Sequence, residues 1–84
     1  MHIVVYSKPN CSWCVKTKEL LRNLHLRYDE KVLDVDYDRN YLRALIGEHK
    51  PLTVPQVFVD SKLIGGYEDF ADWCDNRGLG NVED

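Results

Sequence analysis

Two cysteines three positions apart, Cys11-Ser12-Trp13-Cys14, stand where a β-patterned run gives way to a helix-patterned one. That junction constrains this chain more than any other feature of it. His2 to Tyr6 is short, β-branched and aromatic, and Ser7-Lys8-Pro9-Asn10 bounds it, so it reads as a buried strand followed by a loop. From Ser12 to about Leu26 the residues are good helix formers, with Val15, Leu20, Leu21 and Leu24 near helical spacing and Lys16, Lys18, Glu19 and Arg22 on the other face. Cys11 therefore sits where the loop ends, and the first helix starts at the cysteine pair.

The remaining elements alternate in the same way. Tyr28 to Asp36, with Val32, Leu33 and Val35, reads as a second strand, and Asp38 can cap a helix through about His49 whose apolar stripe is Tyr41, Leu42, Leu45 and Ile46. Pro51-Leu52-Thr53-Val54-Pro55 is a stiff loop, Gln56 to Val59 a strand, Asp60-Ser61 a turn and Lys62 to Ile64 a further strand, so this stretch reads as a hairpin. Gly65-Gly66 turns sharply into a last helix from Glu68 to about Arg77, and residues 78–84 read as a loose tail. The order β-α-β-α-β-β-α is that of an α/β fold opening on a parallel strand pair with helices packed on the sheet. At 84 residues the chain supports one core, and we expect a single domain over 1–84.

Composition narrows the function. Eleven basic against fourteen acidic residues leave a net charge of −3, which gives no electrostatic case for binding nucleic acid. No apolar run approaches the ~20 residues of a spanning helix, and the N-terminus shows no basic leader, so the expectation is a cytoplasmic protein that does not engage a membrane. Three cysteines cannot all pair within one chain, and a lone C-x-x-C in a reducing compartment points to redox or metal chemistry. A zinc site needs four ligands, commonly as a second close pair. Here Cys74 stands alone and His2, His25 and His49 are scattered, so no metal site is expected.

Thiol chemistry fits the junction better. A cysteine at the first turn of a helix faces unpaired N–H groups and the positive end of the helix dipole, both of which favour the thiolate. Lys8 in the same loop adds a cation, and sites of this type have thiol pKa values of about 3.5 to 7.5 against ~8.5 for a free thiol. A fall to ~5 would raise the thiolate fraction at neutral pH roughly 30-fold, but a Brønsted slope of ~0.5 would cut intrinsic nucleophilicity by about 50-fold. The gain is therefore in departure, because a low-pKa sulfur leaves more readily when a second thiol attacks a mixed disulfide at Cys11. The i, i+3 spacing puts Cys14 on the same helix face, within disulfide reach.

Cys11-Ser12-Trp13-Cys14 after the first strand, Thr53-Val54-Pro55 before the third and Gly65-Gly66-Tyr67-Glu68-Asp69 after the fourth stand in the order and separations of the glutaredoxins. Over residues 2 to about 77 the chain resembles that family. The resemblance implies a thioredoxin-like fold, a central four-stranded mixed sheet flanked by three helices. It also implies glutathione-dependent reduction of protein disulfides and glutathione mixed disulfides, with Cys11 as nucleophile and Cys14 as resolving thiol. Glutathione would be the reducing co-substrate and no tightly bound cofactor is expected. Pro55 matches the family's cis-proline, presenting the Val54 backbone to the ligand. Thr53 belongs to the same stretch. Gly66, Tyr67, Glu68 and Asp69 match the segment receiving the γ-glutamyl end, Lys8 would meet the glycyl carboxylate, and Trp13 keeps an aromatic rim beside the sulfur. Where many members have Asp-Asp, this chain has Glu68-Asp69. Ser12 replaces the usual proline, as in members that hold an iron–sulfur cluster between two protomers, so a cluster carrier is one alternative. A redoxin fed by thioredoxin reductase is another. Disulfide-bearing or glutathionylated proteins, with ribonucleotide reductase among them, are the partners the family suggests, for a monomeric protein. Cys74, with Phe70 and Trp73 on the last helix, reads as a core-facing thiol.

Overall fold

The computed structural model describes residues 1–79. At its centre lies β1 (Ile3–Ser7), flanked on one side by β2 (Asp29–Val32) and on the other by β3 (Gln56–Val59), with β4 (Lys62–Gly65) at the edge. β1 runs parallel to β2 and antiparallel to β3, and β3 and β4 form an antiparallel hairpin, so the sheet is mixed in the order β2-β1-β3-β4. Three helices complete the fold: α1 (Ser12–Asn23), α2 (Arg39–Ile46) and α3 (Tyr67–Asn76). The element order is the one read from the sequence.

Strand alternation divides the apolar side chains between two cores. Ile3 and Val5 of β1, opposite Val59 and Val57 of β3, face the side covered by Leu21 of α1 and by Phe70 and Cys74 of α3. Tyr6 and Phe58 face the other side, where Leu42 and Ile46 of α2 close over them together with Tyr37. The Tyr6 ring meets Tyr37 and Phe58 edge-on, with centroids 5.1 and 5.5 Å apart, the arrangement aromatic quadrupoles prefer. Burial of Tyr6, together with its hydrogen bond to Tyr41, pushes its phenol up to about 12.

Several boundaries differ from the sequence reading, each for a local reason. α1 stops at Asn23, where His25 adopts φ +59 and Leu26 N–H turns back to Leu21 O at 2.9 Å. Its buried stripe is Cys14, Thr17 and Leu21, while Val15 stays exposed; Thr17 is accepted in the core because its hydroxyl donates to Trp13 O at 2.9 Å. β2 ends at Val32 rather than Asp36: Asp34 takes φ +65, Asp36 accepts the Val32 N–H at 2.8 Å, and Val35 points into solvent, 77% exposed. α2 closes at Gly47, φ +92, which leaves Tyr41 and Leu45 on its exposed side. The hairpin turn at Asp60-Ser61 has positive φ at both residues, matching the twist of the strands it joins. α3 begins one residue early, at Tyr67. Of the expected tail, Leu79 packs against the first core and residues 80–84 lie outside the described residues.

Candidate active site

The C-terminal end of β1 feeds the loop Lys8-Pro9-Asn10, in which Asn10 takes φ +57, and the chain arrives extended at Cys11. Cys11 is the N-cap of α1. Its sulfur accepts the Cys14 N–H at 3.2 Å, and its carbonyl accepts the Val15 N–H at 3.1 Å. A sulfur thus stands where a serine or aspartate oxygen usually caps a helix, and the hydrogen bond strengthens when that sulfur is negative. The two cysteines are joined as a disulfide with their Cα atoms 5.2 Å apart. Their surroundings are unequal: Cys11 is half-buried, while Cys14 is 2% exposed. An outside thiol or disulfide can reach Cys11, and Cys14 is accessible chiefly to its neighbour.

Across from the cysteines runs the Pro51–Pro55 loop. The Cys11 sulfur lies 3.9 Å from Val54 O, and the Val54-Pro55 peptide bond is cis. Buried Gln56 fixes this loop by donating from Nε2 to Thr53 O at 2.9 Å and Thr53 Oγ1 at 3.4 Å. Thr53 and Val54 form the shared wall of two cavities. The larger, about 480 Å³, reaches to the start of α3 and is lined by Trp13, Pro55, Gly66, Tyr67, Glu68 and Asp69, among others. The smaller, about 250 Å³, is lined by Lys8, Arg39, Tyr37 and Leu52.

Each end of this double groove carries its own charge. α3 begins with Gly66 as a cap that has no side chain, so no side-chain hydrogen bond takes its first backbone N–H groups, while Glu68 and Asp69 set two carboxylates in its first turn. Gly65 has φ +131, and the Asp69 carboxylate packs directly against its Cα, leaving no room for a side chain. At the other end Lys8 and Arg39 are cations lining the smaller cavity. Trp13 and Tyr67 span the rim with ring centroids 5.5 Å apart, and Lys16 Nζ lies 5.3 Å over the indole. Such a groove suits an extended zwitterionic ligand: an anion at Lys8 and Arg39, backbone pairing at Val54, and an amino-acid head at α3.

Every site residue read from the sequence other than the two cysteines lines one or both cavities, and Cys11 stands beside their shared wall at Val54. Arg39, Lys50 and Gln56 were not singled out. The signal for Arg39 was present, since Asp38 as cap makes Arg39 the first helical residue, yet the strand order needed to bring that helix end beside Lys8 is not legible locally. Cys74 is 1% exposed, and burial, with the Asp75 charge, pushes its thiol up to about 11. Among the described residues no group of three or more His, Cys, Asp or Glu side chains could hold a metal ion.

Comparison with known proteins converges on one group. The family model described as Glutaredoxin matches residues 3–64. Glutaredoxin 1 of Salmonella typhimurium is 38% identical over 81 residues, covering 88% of this chain and 91% of that protein. Glutaredoxin 1 of Escherichia coli is 36% identical over 80 residues, covering 87% and 92%. Among solved structures, reduced Escherichia coli glutaredoxin superposes with a TM-score of 0.76 at 32% identity, over 90% of this chain and 95% of that one. The buckwheat glutaredoxin–glutathione complex superposes with a TM-score of 0.75 at 33% identity, over 93% and 71%.

Proposed function

The chain belongs to the glutaredoxin family, and from that premise we propose that it is a glutathione-dependent oxidoreductase that reduces protein disulfides and glutathione mixed disulfides through Cys11 and Cys14. The observation that carries this reading is the pairing of an accessible, helix-capping sulfur with a groove whose two ends suit the two ends of glutathione. Cys11 attacks the client disulfide and forms a mixed disulfide. Cys14 or a glutathione thiolate then attacks Cys11, which leaves readily because the Cys14 N–H and the helix dipole stabilise it as a thiolate.

Glutathione binds extended. Its glycyl carboxylate meets Lys8 and Arg39, its cysteinyl backbone pairs with Val54 beside Thr53 and Pro55, and its γ-glutamyl head takes the open N–H groups at Gly66 and Tyr67. Glu68 and Asp69 receive the ammonium, and Trp13 with Tyr67 covers the ligand. The buckwheat relative bound to glutathione supports this assignment. In this reading residues 1–84 are one domain working as a monomer in the cytosol, with disulfide-bearing or glutathionylated proteins, ribonucleotide reductase among them, as clients. Among the described residues no helix is long and apolar enough to cross a membrane.

The test is NADPH consumption with glutathione and glutathione reductase against a glutathionylated substrate, run beside the same assay with thioredoxin reductase. The proposal expects turnover in the first and little in the second. The reverse pattern would reassign the reductant.

A further inference from the structure

One ion pair among the described residues is partly buried, and it lies under α1, outside the groove. Lys18 Nζ is 2.9 Å from Glu30 Oε2, and the same oxygen accepts the Ser7 hydroxyl at 2.7 Å. Ser7 is buried at the end of β1, and Glu30 sits opposite Val5 on β2. The Ser7 hydrogen bond, then those of Lys18, hold the Glu30 carboxyl below its usual range, so the anchor is ionised at neutral pH.

Lys18 is four residues beyond Cys14. Side chains at i and i+4 are stacked neighbours with Cβ atoms about 5–6 Å apart. Helical side chains also lean toward the N-terminus, so Lys18 covers the turn that carries Cys14. A free surface lysine would leave that place through its rotamers, whereas Glu30 removes much of this freedom.

We infer that Lys18, fixed by Glu30, is a positioning residue for the resolving step, acting through Cys14 by favouring its thiolate. This rests on the reading of Cys14 as resolving thiol. In that step the Cys14 thiol loses its proton and its sulfur attacks Cys11 of the mixed disulfide. The Cys11–Cys14 bond forms, the bond from Cys11 to the client breaks, and the client sulfur leaves with the electron pair and takes up a proton. Two electrons pass from the cysteine pair to the client. Glutathione restores the pair in the next half-reaction.

The ionisable groups around this corner are few. Cys11 faces Cys14 from the preceding loop, whose Lys8 lines the smaller cavity, and Lys16 on α1 lies over the Trp13 ring. Arg22, one turn beyond Lys18, helps keep Glu30 ionised. From α3 come Tyr67, against Trp13, the Glu68 and Asp69 carboxylates of the first turn, and Cys74, a neutral thiol pushed up to about 11. Lys18 is the cation one turn from Cys14.

If the charge at Lys18 lowers the Cys14 pKa by about one unit, losing it cuts the thiolate fraction about tenfold below that pKa, while a Brønsted slope of ~0.5 returns roughly threefold in nucleophilicity. Lys18→Met should therefore resolve about threefold more slowly at neutral pH and about threefold faster at the alkaline limit. The experiment mixes the reduced protein with excess disulfide-bearing peptide in a stopped-flow instrument across pH. The bimolecular phase reports Cys11 attack, and the concentration-independent phase reports resolution. The alkaline rise of the second phase should move up by about one pH unit in Lys18→Met and return in Lys18→Arg. Equal slowing at every pH, an unmoved profile, or a shift confined to the bimolecular phase would each overturn the inference. If Cys14→Ser kept the concentration-independent phase, the assignment of Cys14 itself would fall instead.

Discussion

Gly65→Ala separates the architecture of the site from its occupancy. Gly65 pairs with Val57 at the end of β4, where the ladder is irregular, and its φ of +131 lies in a region that residues with a Cβ rarely adopt. A methyl group there would stand 2.8 Å from Asp69 Cβ and 2.9 Å from Asp69 Cγ, and would collide with the carboxylate itself. Backbone strain of this kind costs about 1–3 kcal/mol. Taking ~2 kcal/mol and about 4–8 °C per kcal/mol for a domain of this size, the melting temperature should fall by roughly 8–16 °C. Gly66 is the control. It has φ −82, and its added methyl would meet only Pro55 O at 3.5 Å, so Gly66→Ala should stay within about 0.5 kcal/mol of the parent. Urea unfolding of both variants, with the glutathione-coupled assay alongside, gives the comparison. Gly65→Ala should also raise KM for glutathionylated substrate, because relieving the clash displaces Asp69. Equal stability losses in the two variants, or a Gly65→Ala protein as stable as the parent, would refute this account of the turn.

Four further outcomes follow from the buried and partly buried groups. Cys74 should resist alkylation in the reduced, folded protein at pH values where Cys11 reacts, and mass mapping of the labelled cysteines checks this. Its folded pKa of about 11 lies above the ordinary 9.0, so the stability it contributes is intact below that ordinary value and lost as pH rises toward 11; Cys74→Ala should flatten the alkaline limb of a stability–pH curve. Glu30 has the opposite sign, being held below 4.5, so the stability it contributes is present above that value and lost as pH falls through its folded pKa. Glu30→Gln should lower stability at neutral pH and converge with the parent in acid. Phe70, fully buried and stacked on Trp73, should cost about 3–5 kcal/mol on truncation to alanine, read from urea midpoints.

What could be read in the sequence was governed by how local the determining physics is. The order of elements followed from runs of one period and from Pro, Gly and Asp punctuation, and the cysteine pair declared its own position at a strand–helix junction. Failures came where a polar contact outweighed pattern. Val35 looked like strand because of its neighbours, but the Asp36 carboxylate captures the Val32 N–H and turns the chain outward. Thr17 joined the core in place of Val15 because its hydroxyl is satisfied by Trp13 O. Gly65-Gly66 read as a turn, yet only the backbone geometry tells that Gly65 requires glycine and that Gly66 is the open helix cap. Arg39 beside Lys8 depends on β2 lying next to β1, a contact between segments far apart in the chain.

The account stands most directly on the separate roles of the two sulfurs, and reaction class distinguishes them. In the proposed cycle, removing glutathione from a substrate would need Cys11 alone, since a second glutathione can release the group from it. In the same proposed cycle, protein-disulfide reduction would use Cys14, whose Cα lies 5.2 Å from that of Cys11, as an intramolecular thiol that outpaces one from solution. The measurement is the rate of both reactions with Cys14→Ser and with Cys11→Ser, each shown to be folded. The account predicts that Cys14→Ser keeps deglutathionylation and loses most protein-disulfide reduction, and that Cys11→Ser loses both. Activity of either kind in Cys11→Ser, or loss of both in Cys14→Ser, would contradict it.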